Sequence, residues 1–310
     1  MITYVKGNIF TSPAKVLVNP VNTVGVMGKG LAKEFKSLFP DMFNQYHKFC
    51  DNGQLTVGKL WLYKTENKWV LNFPTKTTWK QSSKMEYIEL GLKNFKESFL
   101  RHQITSIAFP KLGCGNGELS WEDVMPLMEK YLNPIPISVF IYLEDTTPNY
   151  VPEHKDLESI SSWLRTEPEY LSYQELESDI KREVVLYGSS ELETPISHKK
   201  FFVEMTEQSV DIFSQNKEKI YSIAHEDIHK LWSHTKSYGF LSRQNAPMAI
   251  AESYEYVIAV LAKLPYCSLT QVSQSYEKLN TVGESLGIQL TPSSNQQKMK
   301  TVAQAPSAVS

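Results

Sequence analysis

The chain has 310 residues, of which 41% are hydrophobic and 21% charged, and a formal net charge of −2. This composition is typical of a globular protein long enough for two domains and excludes a disordered chain, and no apolar run reaches the roughly 18 residues of a membrane-spanning helix. Three cysteines lie far apart in no metal-binding spacing, and the N-terminus has no signal peptide, so we expect a cytoplasmic protein.

Positive charge is concentrated in the first half of the chain. Residues 1–150 contain 17 Lys and Arg against 13 Asp and Glu, a balance of +4, and residues 151–310 contain 15 against 21, a balance of −6. A basic half suits an anionic substrate, because opposite charge raises the local concentration of that substrate. Chance variation among solvated surface charges is the alternative interpretation.

The first half alternates short strands with helices. The sequence predicts strands at residues 3–6, 15–19, 60–64, 69–73, 106–109 and 137–142, and helices at residues 30–39, 41–52, 84–102 and 121–132. This alternation predicts a three-layer α/β sandwich around a mixed, mostly parallel sheet, with ligand-binding loops at the carboxyl ends of the strands.

Two glycine-rich loops follow strands in this half. Loop 1 (residues 22–30) belongs to the stretch N-P-V-N-T-V-G-V-M-G-K-G that starts at Asn19, and loop 2 (residues 111–118) contains three alternating glycines. Glycines let backbone amides approach a ligand closely, and amides that open onto a helix N-terminus bind phosphate oxygens. The spacing of loop 1 fits neither a Walker A loop nor a dinucleotide fingerprint. One such loop is as often a tight connection, but two in one domain predict a two-sided phosphate cradle.

Lys76 is the predicted catalytic residue. It follows an apolar strand and the residues Asn72-Phe-Pro-Thr, at the place where α/β folds present site residues. An isolated lysine is usually a solvated surface charge, and Lys76 is singled out by this position together with the family resemblance given below, which implies a catalytic lysine here. A neutral lysine amine is a nucleophile, and partial burial or nearby positive charge lowers the lysine pKa enough for that role. The ammonium form can instead polarise a leaving group.

Four motifs occur in order in this half: Gly7-Asn8-Ile9, the stretch Asn19–Gly30, Asn72–Lys76, and P-K-L-G-C-G-N-G-E-L-S-W from Pro110. Together they resemble a macrodomain, and more narrowly the DarG family of antitoxins, which reverse the ADP-ribosylation of thymidine in DNA by the toxin DarT. The resemblance implies that residues 1–148 hydrolyse the N-glycosidic bond of ADP-ribosyl-thymidine, releasing ADP-ribose and restoring the base. It implies ADP-ribosylated single-stranded DNA and a cognate DarT as partners, and no metal, cofactor or membrane.

The resemblance assigns a role to each matched position. Asn8 and Ile9 contact adenine, Asn19 and Asn22 hold the ribose next to the glycosidic bond, and Lys76 attacks the anomeric carbon to form a lysyl imine. For the asparagines, a plain turn residue is the alternative. The full predicted ADP-ribose-binding set is Asn8, Ile9, Asn19, Pro20, Val21, Asn22, Gly25, Val26, Met27, Gly28, Gly30, Leu31, Ala32, Lys111, Leu112, Gly113, Cys114, Gly115, Asn116 and Gly117.

Loop 2 departs from a related branch of macrodomains. Macrodomains that act on ADP-ribosylated glutamate pair their lysine with an aspartate in this loop, where the present chain has Gly117. The difference favours the DNA-directed branch and leaves the acid partner of Lys76 open, with Glu118 interpreted as a helix N-terminal charge. Cys114 is interpreted as a packing residue, because no base for a thiol nucleophile is apparent.

Trp79, Lys80 and Lys84 are predicted to form a DNA-contacting rim, because aromatic rings stack on bases and lysines bind phosphates. Ordinary surface residues are the alternative. Two other functions would use the same pocket: an ADP-ribose-binding module without turnover, and a hydrolase of glutamate-linked ADP-ribose on proteins or of O-acetyl-ADP-ribose.

The second half is predicted to be a separate domain. A stretch with two prolines predicts a linker at residues 149–155. Apolar residues at helical spacing, among them a stripe from Leu269 to Leu286, then predict a mainly helical domain at residues 156–290, with an apolar helix at residues 249–264. Residues 291–310, rich in Ser, Gln and Pro, are predicted to be disordered. The resemblance implies that the helical domain binds and neutralises the toxin, and a dimerisation domain is the structural alternative.

One metal motif occurs in this half. His225-Glu-Asp-Ile-His229 satisfies H-E-x-x-H, which on a helix binds zinc through both histidines. Asp227 and Lys230 are unlike the buried, uncharged helix of a zinc protease, so we expect ordinary helix histidines.

Overall fold

The computed structural model describes residues 2–143, 150–186, 192–273, 279 and 282–291. The chain divides into two compact units, the first ending at Ser161 and the second starting at Ser162. The described part of the predicted linker therefore belongs to the first unit, where Glu153–Lys155 forms a 3-10 turn. In the described ranges, no helix is long and apolar enough to cross a membrane. The predicted disordered tail lies outside the described residues, apart from Thr291.

The first unit contains the alternation of strands and helices that the sequence predicts. Its strands are β1 (Ile2–Val5), β2 (Val16–Val21), β3 (Trp61–Lys64), β4 (Trp69–Pro74), β5 (Ser106–Pro110) and β6 (Ser138–Tyr142), and its helices are α1 (Gly30–Leu38), α2 (Pro40–Asp51), α3 (Met85–Ser98) and α4 (Trp121–Leu132). Each predicted element of this half is confirmed. The largest difference is at α3, which ends at Ser98 rather than at residue 102.

The sheet of the first unit is mixed and mostly parallel, as predicted. Its strand order is β1-β6-β5-β2-β4-β3, and β3 alone among these strands runs antiparallel to its neighbour. Parallel neighbours place their carboxyl ends at the same edge. The ends of β2, β4 and β5 carry loop 1, Lys76 and loop 2 respectively, so this topology brings the three predicted site segments together.

Apolar side chains cover both faces of the sheet. On one face, alternate residues of β2, β4, β5 and β6 join α3 and α4 in one buried cluster, in which Phe73, Phe95 and Phe109 are fully buried. Helix α3 approaches the sheet closely at Gly91, where an added Cβ would lie 2.2 Å from the ring of Phe73. The opposite face buries Leu17, on the side where α1 packs against β2. Each face thus meets a helical layer, which gives the three layers.

The second unit contains helices and two antiparallel sheets. One sheet has the order β10-β9-β8-β7 and the other the order β11-β13-β12. The strands are β7 (Leu192–Glu193), β8 (Lys200–Met205), β9 (Ser209–Ser214), β10 (Lys219–Ala224), β11 (Phe240–Leu241), β12 (Cys267–Gln271) and β13 (Leu286–Leu290), and the helices are α5 (Leu157–Thr166, which runs through the division between the units), α6 (Tyr173–Ile180), a π-helical turn (Lys181–Leu186), α7 (His225–Tyr238), α8 (Tyr254–Leu261) and α9 (Val282–Ser285).

These sheets accompany the predicted helices of the second half and were not themselves predicted. Leu269 and Leu286 fit one helical stripe by spacing, but they lie on the paired strands β12 and β13. A few apolar residues at three- and four-residue intervals also occur in strands joined by a turn, so this spacing alone does not distinguish the two. The predicted helix at residues 249–264 is shorter, with α8 preceded by a 3-10 turn at Met248–Ile250.

Candidate active site

A pocket of about 350 Å³ opens at the carboxyl edge of the first unit's sheet. This size is within the range of small-molecule sites. The predicted site residues that line it are Ile9, Pro20, Val21, Asn22, Val26, Gly30, Leu31, Ala32, Lys76, Lys111, Gly113, Cys114, Gly115, Asn116 and Gly117. Residues that line it without having been predicted are Glu34, Thr75, Pro110, Tyr142, Tyr150 and Glu153.

The side chain of Asn22 determines the path of loop 1. Its Oδ1 accepts hydrogen bonds from the backbone N–H groups of Val24 and Val26 at 3.1 and 3.2 Å, and its Nδ2 donates to the Val26 carbonyl at 2.7 Å. The Tyr46 hydroxyl donates to both the carbonyl and Oδ1 of Asn22, at 2.8 and 3.1 Å. Asn22 is buried and lines the pocket, and its side-chain amide forms its hydrogen bonds within the loop.

Two positions in loop 1 require glycine. Gly25 and Gly30 have φ values of +81° and +58°, which side chains rarely adopt. A Cβ at Gly25 would lie 2.5 Å from Nδ1 of His47, and one at Gly30 would lie 2.8 Å from the hydroxyl of Tyr150. The loop is therefore closely packed on both sides, and its backbone is the surface that it offers to a ligand.

Loop 2 is held by backbone hydrogen bonds to the residue that follows it and to the segment before α3. The carbonyl of Gly113 accepts from the N–H of Leu119 at 2.9 Å, and the carbonyl of Gly117 accepts from the N–H of Ser83 at the same distance. A Cβ at Gly117 would lie 2.3 Å from the Gly113 carbonyl oxygen and 2.2 Å from Ser83 Oγ. Gly115, in the same loop, has nothing within 4 Å of such a Cβ.

This difference predicts unequal effects of one substitution at two glycines. Gly117→Ala should lower the free energy of unfolding by about 2–3 kcal/mol, because a backbone oxygen has to move, whereas Gly115→Ala should change it by less than about 0.5 kcal/mol. Urea denaturation of both variants measures this. Equal losses at the two positions would contradict the close packing of Gly117.

Lys76 is nearly inaccessible and hydrogen-bonded on two sides. The residue is 4% exposed, and its Nζ donates to the carbonyl of Asn116 at 2.7 Å and to Glu153 Oε1 at 3.1 Å. The N–H of Thr75 donates to the Val21 carbonyl at 2.9 Å, which fixes the chain just before Lys76. Burial lowers the pKa of the Lys76 ammonium, and the Glu153 carboxylate opposes this effect. The site thus contains a desolvated lysine whose ammonium form is stabilised mainly by the Glu153 carboxylate that it contacts.

Glu153 comes from residues 150–156, which we call the strap. Burial raises the pKa of the Glu153 carboxyl group, and the Lys76 ammonium opposes this rise. The sequence analysis did not find Glu153, because it lies 77 residues from its partner in a proline-containing stretch without periodicity. Pro110 and Tyr142 could have been predicted as site residues, since each is the last residue of a strand at the carboxyl edge of the sheet.

The strap is attached to both glycine loops. Asp156 forms an ion pair with Lys29 of loop 1 at 2.7 Å. On loop 2, Glu118 pairs with the two strap residues His154 and Lys155, with 2.8 Å to His154. The carboxylate of Glu118 therefore anchors the strap, and its charge also acts to raise the pKa of Lys76.

Comparison with known proteins identifies the fold family of this unit. Residues 18–128 match the family model described as Macro domain. The first unit is a macrodomain. A DNA ADP-ribosyl glycohydrolase of Thermus aquaticus is 41% identical to it over 147 residues, which are 46% of this chain and 41% of the relative. A DNA ADP-ribosyl transferase-DNA ADP-ribosyl glycohydrolase fusion protein of Thermosipho africanus is 40% identical over 161 residues, 46% of this chain and 42% of the relative.

A solved structure gives the name of the branch. The macrodomain of Mycobacterium tuberculosis DarG is 41% identical, with a TM-score of 0.45, over 46% of this chain and 97% of that chain. By sequence, the present macrodomain is of the DarG type. The chain spans less than half the length of the two curated relatives named above.

Several predicted ligand residues lie beside the macrodomain pocket without lining it. Asn8 is exposed, and its Oδ1 accepts from the Phe10 N–H at the start of a 3-10 turn, as a turn asparagine does. Asn19 is fully buried and donates to Asn72 Oδ1 at 3.0 Å. The remaining predicted residues that do not line the pocket are Gly25, Met27, Gly28 and Leu112.

Trp79 corrects the predicted DNA-contacting rim. Its side chain is 0% exposed, so it cannot stack on a base in this structure. Lys80 and Lys84 are exposed, as the prediction requires of a rim. The indole is instead part of the macrodomain core, because a large aromatic ring gains more from burial there than from exposure.

Cys114 has the environment of a packing residue. Burial raises the pKa of its thiol to about 11, and the thiol donates to the Leu112 carbonyl at 3.4 Å. A thiol that stays protonated near neutral pH is a poor nucleophile.

The H-E-x-x-H histidines of the second unit do not face a common ligand position. His225 Nδ1 lies 2.6 Å from the Tyr173 hydroxyl and its Nε2 lies 2.9 Å from the Thr206 carbonyl, so both ring nitrogens are used. The intervening Glu226 pairs with Lys230 at 2.7 Å. Among the described residues, no group of His, Cys, Asp and Glu is arranged to hold a metal ion.

Proposed function

We propose that the macrodomain hydrolyses the N-glycosidic bond between ADP-ribose and thymidine in DNA, releasing ADP-ribose and restoring the base. The observation that carries this proposal is the buried Lys76, which lines a pocket between two glycine-rich loops. The names of two relatives at 40–41% identity, both DNA ADP-ribosyl glycohydrolases, support the choice of substrate.

The two loops would hold the diphosphate and its riboses. Residues of both glycine loops line the pocket, where backbone amides suit phosphate oxygens, and α1 begins at Gly30, so its N-terminus adds a favourable dipole. Ile9 supplies an apolar contact for adenine. Lys80 and Lys84 remain the proposed contacts for the DNA backbone, in keeping with the +4 balance of residues 1–150.

Lys76 would act as the nucleophile. Its neutral amine attacks the anomeric carbon of the proximal ribose, the bond from that carbon to the thymine nitrogen breaks, and the nitrogen takes up a proton. The open-chain form of the adduct is a lysyl imine, and water then releases ADP-ribose. Burial supports this role because it favours the neutral amine.

The proposal is tested by comparing three substrates. The wild-type chain is incubated with ADP-ribosylated single-stranded DNA, with a protein carrying glutamate-linked ADP-ribose, and with O-acetyl-ADP-ribose, and free ADP-ribose is measured. We expect the DNA to be the fastest substrate. Faster release from either other substrate would replace the DNA-directed assignment, and ADP-ribose binding without any release would make this domain a binding module.

We further propose that the second unit binds and neutralises a DarT-type toxin. Residues 162–310 contain 14 Lys and Arg against 18 Asp and Glu, a balance of −4, and this negative charge suits a toxin surface that otherwise binds DNA. The name of the fusion relative, which joins a transferase to a glycohydrolase, also supports this role. The proposed toxin and DNA partners imply a cytoplasmic location, which is supported by three free cysteines among the described residues.

This second role is separable from hydrolysis. The full chain carrying Lys76→Ala, added in equal amount to the cognate toxin, should suppress ADP-ribose transfer to DNA, and added salt should weaken that suppression. Undiminished transfer would overturn the role. Sedimentation of the chain alone decides the alternative of a dimerisation domain, which requires a dimer.

A further inference from the structure

The carboxylate nearest Lys76 comes from an unexpected part of the chain. In loop 2, the position that faces the lysine in glutamate-directed macrodomains is Gly117, which has no side chain. Glu153 of the strap instead places Oε1 3.1 Å from Lys76 Nζ, and both side chains are less than a tenth exposed. The pocket therefore contains an acid beside its lysine, although neither glycine loop provides one.

The position of Glu153 is fixed by several contacts. Oδ1 of Asn116 accepts from the backbone N–H of Glu153 at 3.1 Å and from the hydroxyl of Tyr150, while the Asn116 carbonyl accepts from Lys76. One loop residue thus aligns both members of the pair. Burying two opposite charges costs free energy that an apolar pair would not cost, so a built pair of this kind in a pocket points to a functional use.

We propose that Glu153 is the acid–base partner of Lys76 in the reaction proposed above, on which this inference rests. Glu153 lines the same pocket and touches the attacking nitrogen, so it is placed to take a proton from Nζ and to return one to the leaving group. The strap is then part of the active site, in addition to its contacts with both glycine loops.

The proton transfers balance over one cycle. Lys76 Nζ gives a proton to Glu153, and its lone pair forms a bond to the anomeric carbon. The bond from that carbon to the thymine nitrogen breaks, its electron pair goes to the nitrogen, and the nitrogen takes the proton from Glu153. Water then attacks the anomeric carbon, the carbon–Nζ bond breaks with its electrons returning to Nζ, and a water proton restores the ammonium.

The direction of the expected pH effect follows from the groups around the pair. Burial lowers the pKa of Lys76, whereas Glu153 and, to a smaller extent, Glu118 raise it, so removal of the Glu153 charge leaves the effect of burial opposed by Glu118 alone. The charged and titratable groups that act on the pair are Lys29, Tyr46, Glu118, Tyr150 and His154. Because the neutral amine is the reactive form, activity rises with pH through the Lys76 pKa.

The test is the pH–rate profile of Glu153→Gln, which keeps the shape of the side chain and removes its charge. We expect its rising limb to lie at least about one pH unit lower than in the wild type, and its maximal kcat to fall about 10- to 100-fold, with ADP-ribose affinity within about twofold. Asp156→Asn is the matched control, because it loosens the same strap at a side chain that does not contact Lys76. The rising limb of its pH–rate profile should lie at the same pH as in the wild type. A lower rate at every pH with an unmoved limb, or an unchanged maximal rate, would overturn the proposal.

A second measurement does not depend on turnover. The NMR signal of the ¹³C-labelled ε-carbon of Lys76, assigned by its loss in Lys76→Ala, reports the protonation of Nζ in the free protein. Its midpoint should fall by at least about one pH unit in Glu153→Gln and stay in place in Asp156→Asn. If the wild type turned over no substrate, the proposed function would fail while this titration still decided the pairing, and an unmoved midpoint would reject it.

Discussion

Lys76→Ala should lower the release of ADP-ribose from ADP-ribosylated DNA by at least about 10³-fold, because it removes the attacking nitrogen and leaves only binding and orientation. The affinity for free ADP-ribose should change by no more than a few-fold, since the glycine loops are unaltered. Single-turnover release assays and calorimetric titration with ADP-ribose measure the two quantities. Turnover that survives this substitution would assign the chemistry to another group.

This substitution also breaks a buried ion pair, so stability needs its own control. Glu153 is left buried without its partner, which should cost about 3–5 kcal/mol of unfolding free energy at neutral pH. The pKa of Glu153 in the folded state is raised by burial, so the loss should shrink as the pH falls and the carboxyl group takes a proton. The double variant Lys76→Ala, Glu153→Gln should recover most of the stability and none of the activity, which separates a catalytic loss from an unfolded protein.

Lys76→Arg distinguishes the two possible roles of Lys76, an amine nucleophile and a cation that polarises the leaving group. A guanidinium keeps a positive charge for polarising a leaving group but does not lose its proton near neutral pH, so it cannot act as an amine nucleophile. Lys76→Arg should therefore be as inactive as Lys76→Ala. Activity restored by the charge alone would favour the alternative in which the ammonium of Lys76 polarises the leaving group.

The first unit was predictable because its signals are local. Strands such as Val16–Val21 begin with a short apolar run, and helices such as Trp121–Leu132 repeat apolar residues at helical spacing, so each element can be predicted from a short window of sequence. Lys76 was found by its place just after such a strand and by its match to the catalytic lysine of the family. These features need no knowledge of what lies across the fold.

The positions of Glu153 and Trp79 in the fold could not be predicted from local sequence signals. Whether Glu153 meets Lys76 depends on where the strap folds back, and the sequence around it has no periodicity from which to read that path. Whether Trp79 is a surface or a core residue depends on which distant elements cover it. The sheets of the second unit were missed for a related reason, since antiparallel pairing such as that of β12 with β13 depends on residues far apart in the chain.

Asn22→Ala should weaken ADP-ribose binding about tenfold or more and lower the free energy of unfolding by about 2–4 kcal/mol. The substitution removes the acceptor of the Val24 and Val26 N–H groups and the donor to the Val26 carbonyl, and each buried polar group left without a partner costs about 1–3 kcal/mol. Calorimetric titration and urea denaturation measure the two effects. Loop 1 would then lose the geometry in which its backbone faces the pocket.

Asn22→Asp tests which half of the amide matters. A carboxylate keeps the acceptor for both N–H groups but cannot donate to the Val26 carbonyl, so we expect its losses to fall between those of the wild type and Asn22→Ala. Asn52→Ala, at an exposed asparagine of the same unit, should change stability by less than about 0.5 kcal/mol and leave binding unaltered. If Asn22→Ala lost stability yet bound ADP-ribose as the wild type does, the glycine conformations at Gly25 and Gly30 would suffice to form the cradle, and Asn22 would act on the fold alone.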